Sequence, residues 1–150
     1  MKSLSIVIAA ALLTRCLLAI AGDDDPAVLE GTYLREGTTH QRMIIDKAGH
    51  VRTNMPIYAA MTGEYCPIHF FSPLHYDDLS GYFVVGGRFY CHFPTPFGMV
   101  TCDYPLGLNV QSNSEGLETT FVGPAYFGMQ NGVCASYGRT EFFLGFVKEK

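Results

Sequence analysis

Charge is scarce in this chain. Asp, Glu, Lys and Arg make up 16% of its 150 residues, well below the roughly 25% of ordinary soluble domains. With 48% hydrophobic residues, disorder driven by charge and low hydropathy is excluded. Helical periodicity is also missing. Beyond residue 21 no helix-length run places apolar residues at i, i+3, i+4 and i+7, which leaves an all-β reading. The sequence holds no H-E-x-x-H, G-x-S-x-G, G-x-x-x-x-G-K-[ST] or G-x-G-x-x-G, so the common zinc-protease, nucleophile-elbow and phosphate-loop chemistries have no anchor. No C-x-x-C pair marks a cysteine-zinc site, and no N-x-[ST] sequon marks N-glycosylation. Trp is absent, so eleven Phe and nine Tyr carry the aromatic load. With sixteen Gly and eight Pro, they describe a turn-rich β chain.

The first residues read as an export signal. Lys2 gives a basic start, Leu4 to Leu13 an apolar core, and Ala19-Ile20-Ala21 a small-x-small cleavage site before Gly22. Arg15 interrupts the apolar stretch, which is then too short for the roughly 20 residues that span a bilayer. Residues 1–21 are therefore expected to be a secretory signal peptide and residues 22–150 a single β-rich domain, secreted to the extracellular space. Cleavage takes Lys2 and Arg15 from the ten basic residues and none of the fourteen acidic ones, so the net charge falls from −4 to −6. An acidic surface repels phosphate backbones and anionic lipid heads. Nucleic acid is not an expected partner, nor is a membrane once the signal is gone. Asp23-Asp24-Asp25 reads as a solvated start of the mature chain.

Cys16 leaves with the signal, and Cys66, Cys91, Cys102 and Cys134 remain. An even number in a short exported chain predicts two disulfides. Of three connectivities, Cys91–Cys102 with Cys66–Cys134 is preferred, because Pro94, Pro96 and Gly98 can turn the chain between the first two.

Turn signals divide the remainder into about ten short strands. Arg42 to Asp46 and His50 to Asn54 flank Asp46-Lys47-Ala48-Gly49, a type I turn with a bulge. Tyr82 to Val85 and Arg88 to His92 flank Gly86-Gly87, read as a two-residue hairpin loop. Met99 to Tyr104, Leu108 to Ser112 and Leu117 to Val122 follow, and Asn131-Gly132 joins Ala125 to Met129 with Val133 to Tyr137. Glu141 to Val147 is apolar on both faces, as in a strand buried on both sides or closing a barrel. Pro56 to Ser80, broken by Pro67 and Pro73, reads as a long loop or partial helix. The sum is an all-β fold: a small disulfide-bonded antiparallel barrel, with a β-sandwich as the alternative.

The densest polar cluster is His69, His75, Tyr76, Asp77 and Asp78, with His92 nearby through the cysteines. Its residue types suit Zn²⁺, but its spacing matches no metal motif, and no metal or cofactor is expected. His40, His50, His69, His75 and His92, with Glu64, Arg52 and Arg88, supply the types that a small secreted ribonuclease would need. The aromatics exceed what one small core uses. Their surplus can line an apolar cavity or form a contact patch. Phe93 and Phe97, set in the stiff Phe93-Pro94-Thr95-Pro96-Phe97 segment, with Phe89 and Tyr90 beside it, are the candidate binding residues.

Gly31-Thr32-Tyr33 resembles the opening G-x-W of lipocalin-type barrels, with Tyr replacing Trp. Thr101-Cys102-Asp103-Tyr104 loosely resembles that family's T-D-Y. No helix-forming segment precedes the last strand, where a lipocalin has one, so the likeness implies a lipocalin-like (calycin-like) barrel shape and not membership. In composition the chain also resembles secreted microbial effectors. The function expected is non-catalytic binding, of an extracellular protein or of a small apolar ligand, with a secreted hydrolase using His and carboxylate groups as the alternative.

Overall fold

The computed structural model describes residues 24–150, so the expected signal segment 1–21 lies outside the described residues. A 3₁₀ turn, Pro26–Leu29, is capped by the Asp25 carboxylate, which accepts the Ala27 N–H. Twelve strands follow among the described residues: β1 (Gly31–Arg35), β2 (Arg42–Ile45), β3 (Val51–Thr53), β4 (Pro56–Ala59), β5 (Glu64–Phe70), β6 (His75–Asp77), β7 (Tyr82–Thr95), β8 (Gly98–Ser112), β9 (Gly116–Gly123), β10 (Tyr126–Gln130), β11 (Val133–Tyr137) and β12 (Thr140–Lys148). The protein is all-β.

Ten strands form one antiparallel sheet in the order β3-β2-β1-β12-β9-β8-β7-β5-β4, with β6 continuing beside β7 after β5; β10 and β11 form a separate ribbon. The two edge strands of that order, β3 and β4, are consecutive in the chain. Only Asn54 and Met55 separate them, and three Cα steps of 3.8 Å reach about 11 Å. The sheet therefore has to curl until its edges meet at this corner, making a half-barrel. A second tie crosses the seam where the Leu74 N–H donates to the Gly49 carbonyl at 2.9 Å.

Period-2 alternation puts one face of each strand inside. On β8, Cys102, Tyr104, Leu106, Leu108 and Val110 are buried, whereas Thr101, Asp103 and Pro105 are exposed. Phe83, Val85, Phe89, Cys91 and Phe93 of β7 join them, with Tyr33, Met43, Ile45, Leu117, Phe121 and Phe146 from the other side of the barrel. At roughly 25 cal/mol per Å² of apolar surface removed from water, this shared interior is what holds the curled sheet together.

Several expectations need correction. Gly86-Gly87 does not turn: β7 runs through both glycines, paired with Gly107 and Leu106 of β8. Gly87 faces the interior, and the Phe70 ring and the His69 carbonyl occupy the space that a side chain there would need. The glycine thus admits a neighbouring aromatic within a continuous strand, not a hairpin. Pro105-Leu106-Gly107 likewise stays extended inside the 15-residue β8. Pro56 to Ser80 holds three strands; Pro56 and Pro67 face each other in the β4–β5 ladder, and Pro73 lies between β5 and β6. β12 is buried on one face only, for Phe143 is 74% exposed while Phe146 is in the core.

Both disulfides form, with different partners: Cys66–Cys91 and Cys102–Cys134. The prolines do fold β7 back on β8, and Cys91 stands directly opposite Cys102. Cys91 nevertheless has a second flank. The β5–β7 register of Ile68 with Phe89 extends to set Cys66 against it, and the β10–β11 ribbon brings Cys134 to Cys102. Asn131 (φ 51°) and Gly132 (φ 80°) make the tight turn of that ribbon, as expected of an Asn-Gly hairpin.

Candidate functional site

The β10–β11 ribbon creates the site by folding over one mouth of the half-barrel. Its Phe127 meets Phe89 edge-on at 4.8 Å and Tyr104 at 5.3 Å. The Tyr104 hydroxyl, buried, donates to the Gly128 carbonyl at 2.8 Å. Burial pushes the Tyr104 phenol above its ordinary pKa. Cys102–Cys134 completes the attachment.

Between ribbon and sheet lies a cavity of about 370 Å³. Phe89, Leu106 and Phe121 form its floor, and Met55, Ile57 and Tyr58, from the β3–β4 corner and β4, form one wall. Phe142 and Leu144 of β12 form another, and Ala125 and Phe127 close it. Arg35 is the one charged residue of the lining, half-buried at the end of β1. An apolar concavity of a few hundred Å³ with very few polar groups is the usual form of a small-molecule site. A smaller cavity, about 190 Å³, lies between Met61, Phe93 and Tyr126.

The four candidate binding residues separate. Phe89 is buried in the cavity floor. Phe93 is buried too, so it is not available to a contact patch, because the inward parity of β7 includes it. Tyr90 lies on the outer face, its ring 5.4 Å from that of His69. Phe97 stands at the β7–β8 tip fully exposed to solvent.

Arg35, Phe142 and Leu144 escaped sequence reading as site residues. Parity along β1 carries the signal for Arg35: Tyr33 is inward, so Arg35, two positions on, is inward as well.

The polar candidates are spread out. His40 lies between β1 and β2, His50 follows the β2–β3 turn beside Asp46, and His69, His75 and His92 sit on β5, β6 and β7; all five are exposed. The His92 ring nitrogen is 2.8 Å from the Thr101 hydroxyl, and the Glu64 carboxylate accepts the His92 backbone N–H at 2.9 Å. Arg88 pairs with Asp103 across the outer face. Asp77 accepts from Ser80, a bond that holds its carboxyl below the usual range. Among the described residues no group of three His, Cys, Asp or Glu is placed to hold a metal ion. None of their helices is long and apolar enough to cross a membrane.

Comparison of the chain with family models, with curated proteins and with solved structures finds no match in any of the three. By its fold the chain is an all-β, two-disulfide half-barrel protein with an apolar, ribbon-covered mouth.

Proposed function

We propose that this is a secreted, non-catalytic binding protein that holds a small apolar ligand in the mouth of its half-barrel. The observation that carries the reading is the 370 Å³ cavity between the ribbon and the Phe89–Leu106–Phe121 floor. Two disulfides support an oxidising, extracellular destination. The ribbon supports a binding role as well, since Ala125 and Phe127 at its base wall the cavity.

The test is uptake of a neutral fluorescent probe, N-phenyl-1-naphthylamine, together with native mass spectrometry of protein exported from an oxidising host. Bound probe, displaced by apolar compounds and lost in Leu144→Trp with the fold intact, supports the proposal. Probe uptake that survives the filled cavity sinks it.

A second reading, contact with an extracellular protein, has its own observation. The strand register and Cys102–Cys134 set the β4–β5, β7–β8 and β10–β11 tips at the same end of the molecule. Met61, Phe97, Met99 and Val133, each at least 65% exposed, stand there. Loss of a partner in Phe97→Ala and Met99→Ala, with probe binding unchanged, favours this surface over the cavity.

A further inference from the structure

Arg35 is unlike the other arginines among the described residues. Arg42, Arg88 and Arg139 each pair with a carboxylate, those of Glu149, Asp103 and Glu141. Arg52 is exposed on β3 and is hydrated by bulk water. Arg42 is half-buried as well, but among the described arginines Arg35 is the one turned inward, opposite the buried Phe146 in the β1–β12 register. Among the described residues no carboxylate lies within 4.0 Å of its guanidinium. One of its N–H groups donates to the Gln41 side-chain oxygen at 2.6 Å, an arrangement that orients the fork without neutralising it. A guanidinium has five N–H donors, so most of them stay free to face a guest.

We infer that the guest of this cavity is an amphiphile with a single anionic head, held by Arg35, and an apolar body lying on Phe89, Leu106 and Phe121. This inference rests on the cavity reading above and adds to it the ligand's charge. An unpaired cation beside apolar walls is unfavourable until an anion joins it. A guanidinium also matches a carboxylate with two parallel hydrogen bonds, which an ammonium does not. A neutral apolar guest would leave the Arg35 charge uncompensated and a cationic guest would be repelled, so the lining discriminates by charge as well as by shape.

The experiment is displacement of N-phenyl-1-naphthylamine by decanoate, decanol and decylammonium at pH 7.4, using the intact secreted chain and its Arg35→Gln and Arg35→Lys variants. Decanoate should bind the native protein at least tenfold more tightly than decanol, a difference of about 1.4 kcal/mol, and decylammonium should bind weakest. Arg35→Gln should bring decanoate to the level of decanol and leave decanol unchanged. Arg35→Lys should keep part of the preference for the anion. Equal affinity of native protein for decanoate and decanol overturns the inference and leaves the cavity reading standing. An Arg35→Gln variant that weakens decanol as much as decanoate also overturns it, for Arg35 would then act by shaping the wall. If neither the neutral probe nor any of the three compounds binds, the cavity reading falls and this inference with it. The native comparison needs no variant, so a misfolded Arg35→Gln cannot hide the answer.

Discussion

Removing the Cys102–Cys134 bridge, as Cys102→Ala with Cys134→Ala, should weaken the molecule and loosen the ribbon that walls its cavity. The bridge spans a sequence separation of 32, and closing such a loop restricts the unfolded chain by about 3.7 kcal/mol in the chain-entropy account. The Cys66–Cys91 bridge spans 25, for which the same account gives about 3.5 kcal/mol. Entropy alone therefore scarcely separates the two. Location does. Cys66 and Cys91 lie wholly inside the core, whereas Cys134 is on the exposed face of the ribbon. Without its bridge the ribbon is held by the Phe127 ring and the Tyr104–Gly128 hydrogen bond, and the Cys102–Met129 sulfur contact goes with the substituted side chain. Urea denaturation should show a loss of about 3–4 kcal/mol, and amide exchange should rise first in Tyr126–Gln130 and Val133–Tyr137. Neutral-probe affinity should fall with it, because Ala125 and Phe127 leave the wall. Mild reductant on the native protein should expose Cys102 and Cys134 to alkylation before Cys66 and Cys91, since a thiolate can reach the sulfur of Cys134. A stability loss below 1 kcal/mol with unchanged ribbon exchange, or earlier labelling of Cys66 and Cys91, would refute the reasoning.

The two glycines read as a turn make a paired test: Gly87→Ala puts a methyl against the Phe70 ring and the His69 carbonyl and should destabilise by about 1–3 kcal/mol, while Gly86→Ala meets nothing within 4 Å and should be near neutral. A similar loss at both positions in denaturant melts would point back to a hairpin. Tyr104→Phe removes the buried hydrogen bond to the Gly128 carbonyl and should lose about 1 kcal/mol. Burial raises the phenols of both Tyr104 and Tyr33, so the stability they contribute is complete below the ordinary tyrosine pKa near 10 and is lost as pH rises through their folded values. Phenolate absorbance should therefore show these two ionising after the exposed tyrosines and together with unfolding; ionisation of all nine Tyr in one early step with the fold intact would contradict this. Phe93→Ala should cost about 3–5 kcal/mol as a core cavity, against less than 0.5 kcal/mol for the fully exposed Phe97→Ala, measured by thermal or urea unfolding.

Local signals carried much of the strand inventory. Asp46 accepts the Ala48 and His50 N–H groups in the β2–β3 turn, and Asn131-Gly132 makes the ribbon turn, both as their residue types imply. Alternation marked Arg42–Ile45, Gly116–Gly123 and Val133–Tyr137 within one or two residues. The errors share a physical origin. Gly86-Gly87 and Pro105-Leu106-Gly107 carry turn chemistry, yet each faces a partner strand long enough to hold it extended, and ladder pairing outweighs a local preference of about 1 kcal/mol. Pro67 misled the reading of residues 56–80 for the same reason, being held in β5 opposite Pro56 of β4, whereas Pro73 falls between β5 and β6 and does interrupt the strands.

Residue types by themselves determined the all-β class, the even set of four cysteines available for two bridges, and the aromatic surplus that asks for a cavity or a contact surface. Those follow from composition and from patterns a few residues long. The tertiary structure alone decided which cysteines pair, because Cys91 has two cross-strand neighbours and only the ribbon's return to Cys102 assigns them. It also decided that Phe89 lines a cavity while Phe93 fills the core and Phe97 meets water, three positions on one hairpin that sequence treats alike. Arg35 became a site residue in the same way. Its inward direction is a matter of parity on β1, but the cavity it faces exists because β3 and β4, two residues apart in the chain, draw the opposite edges of the sheet together.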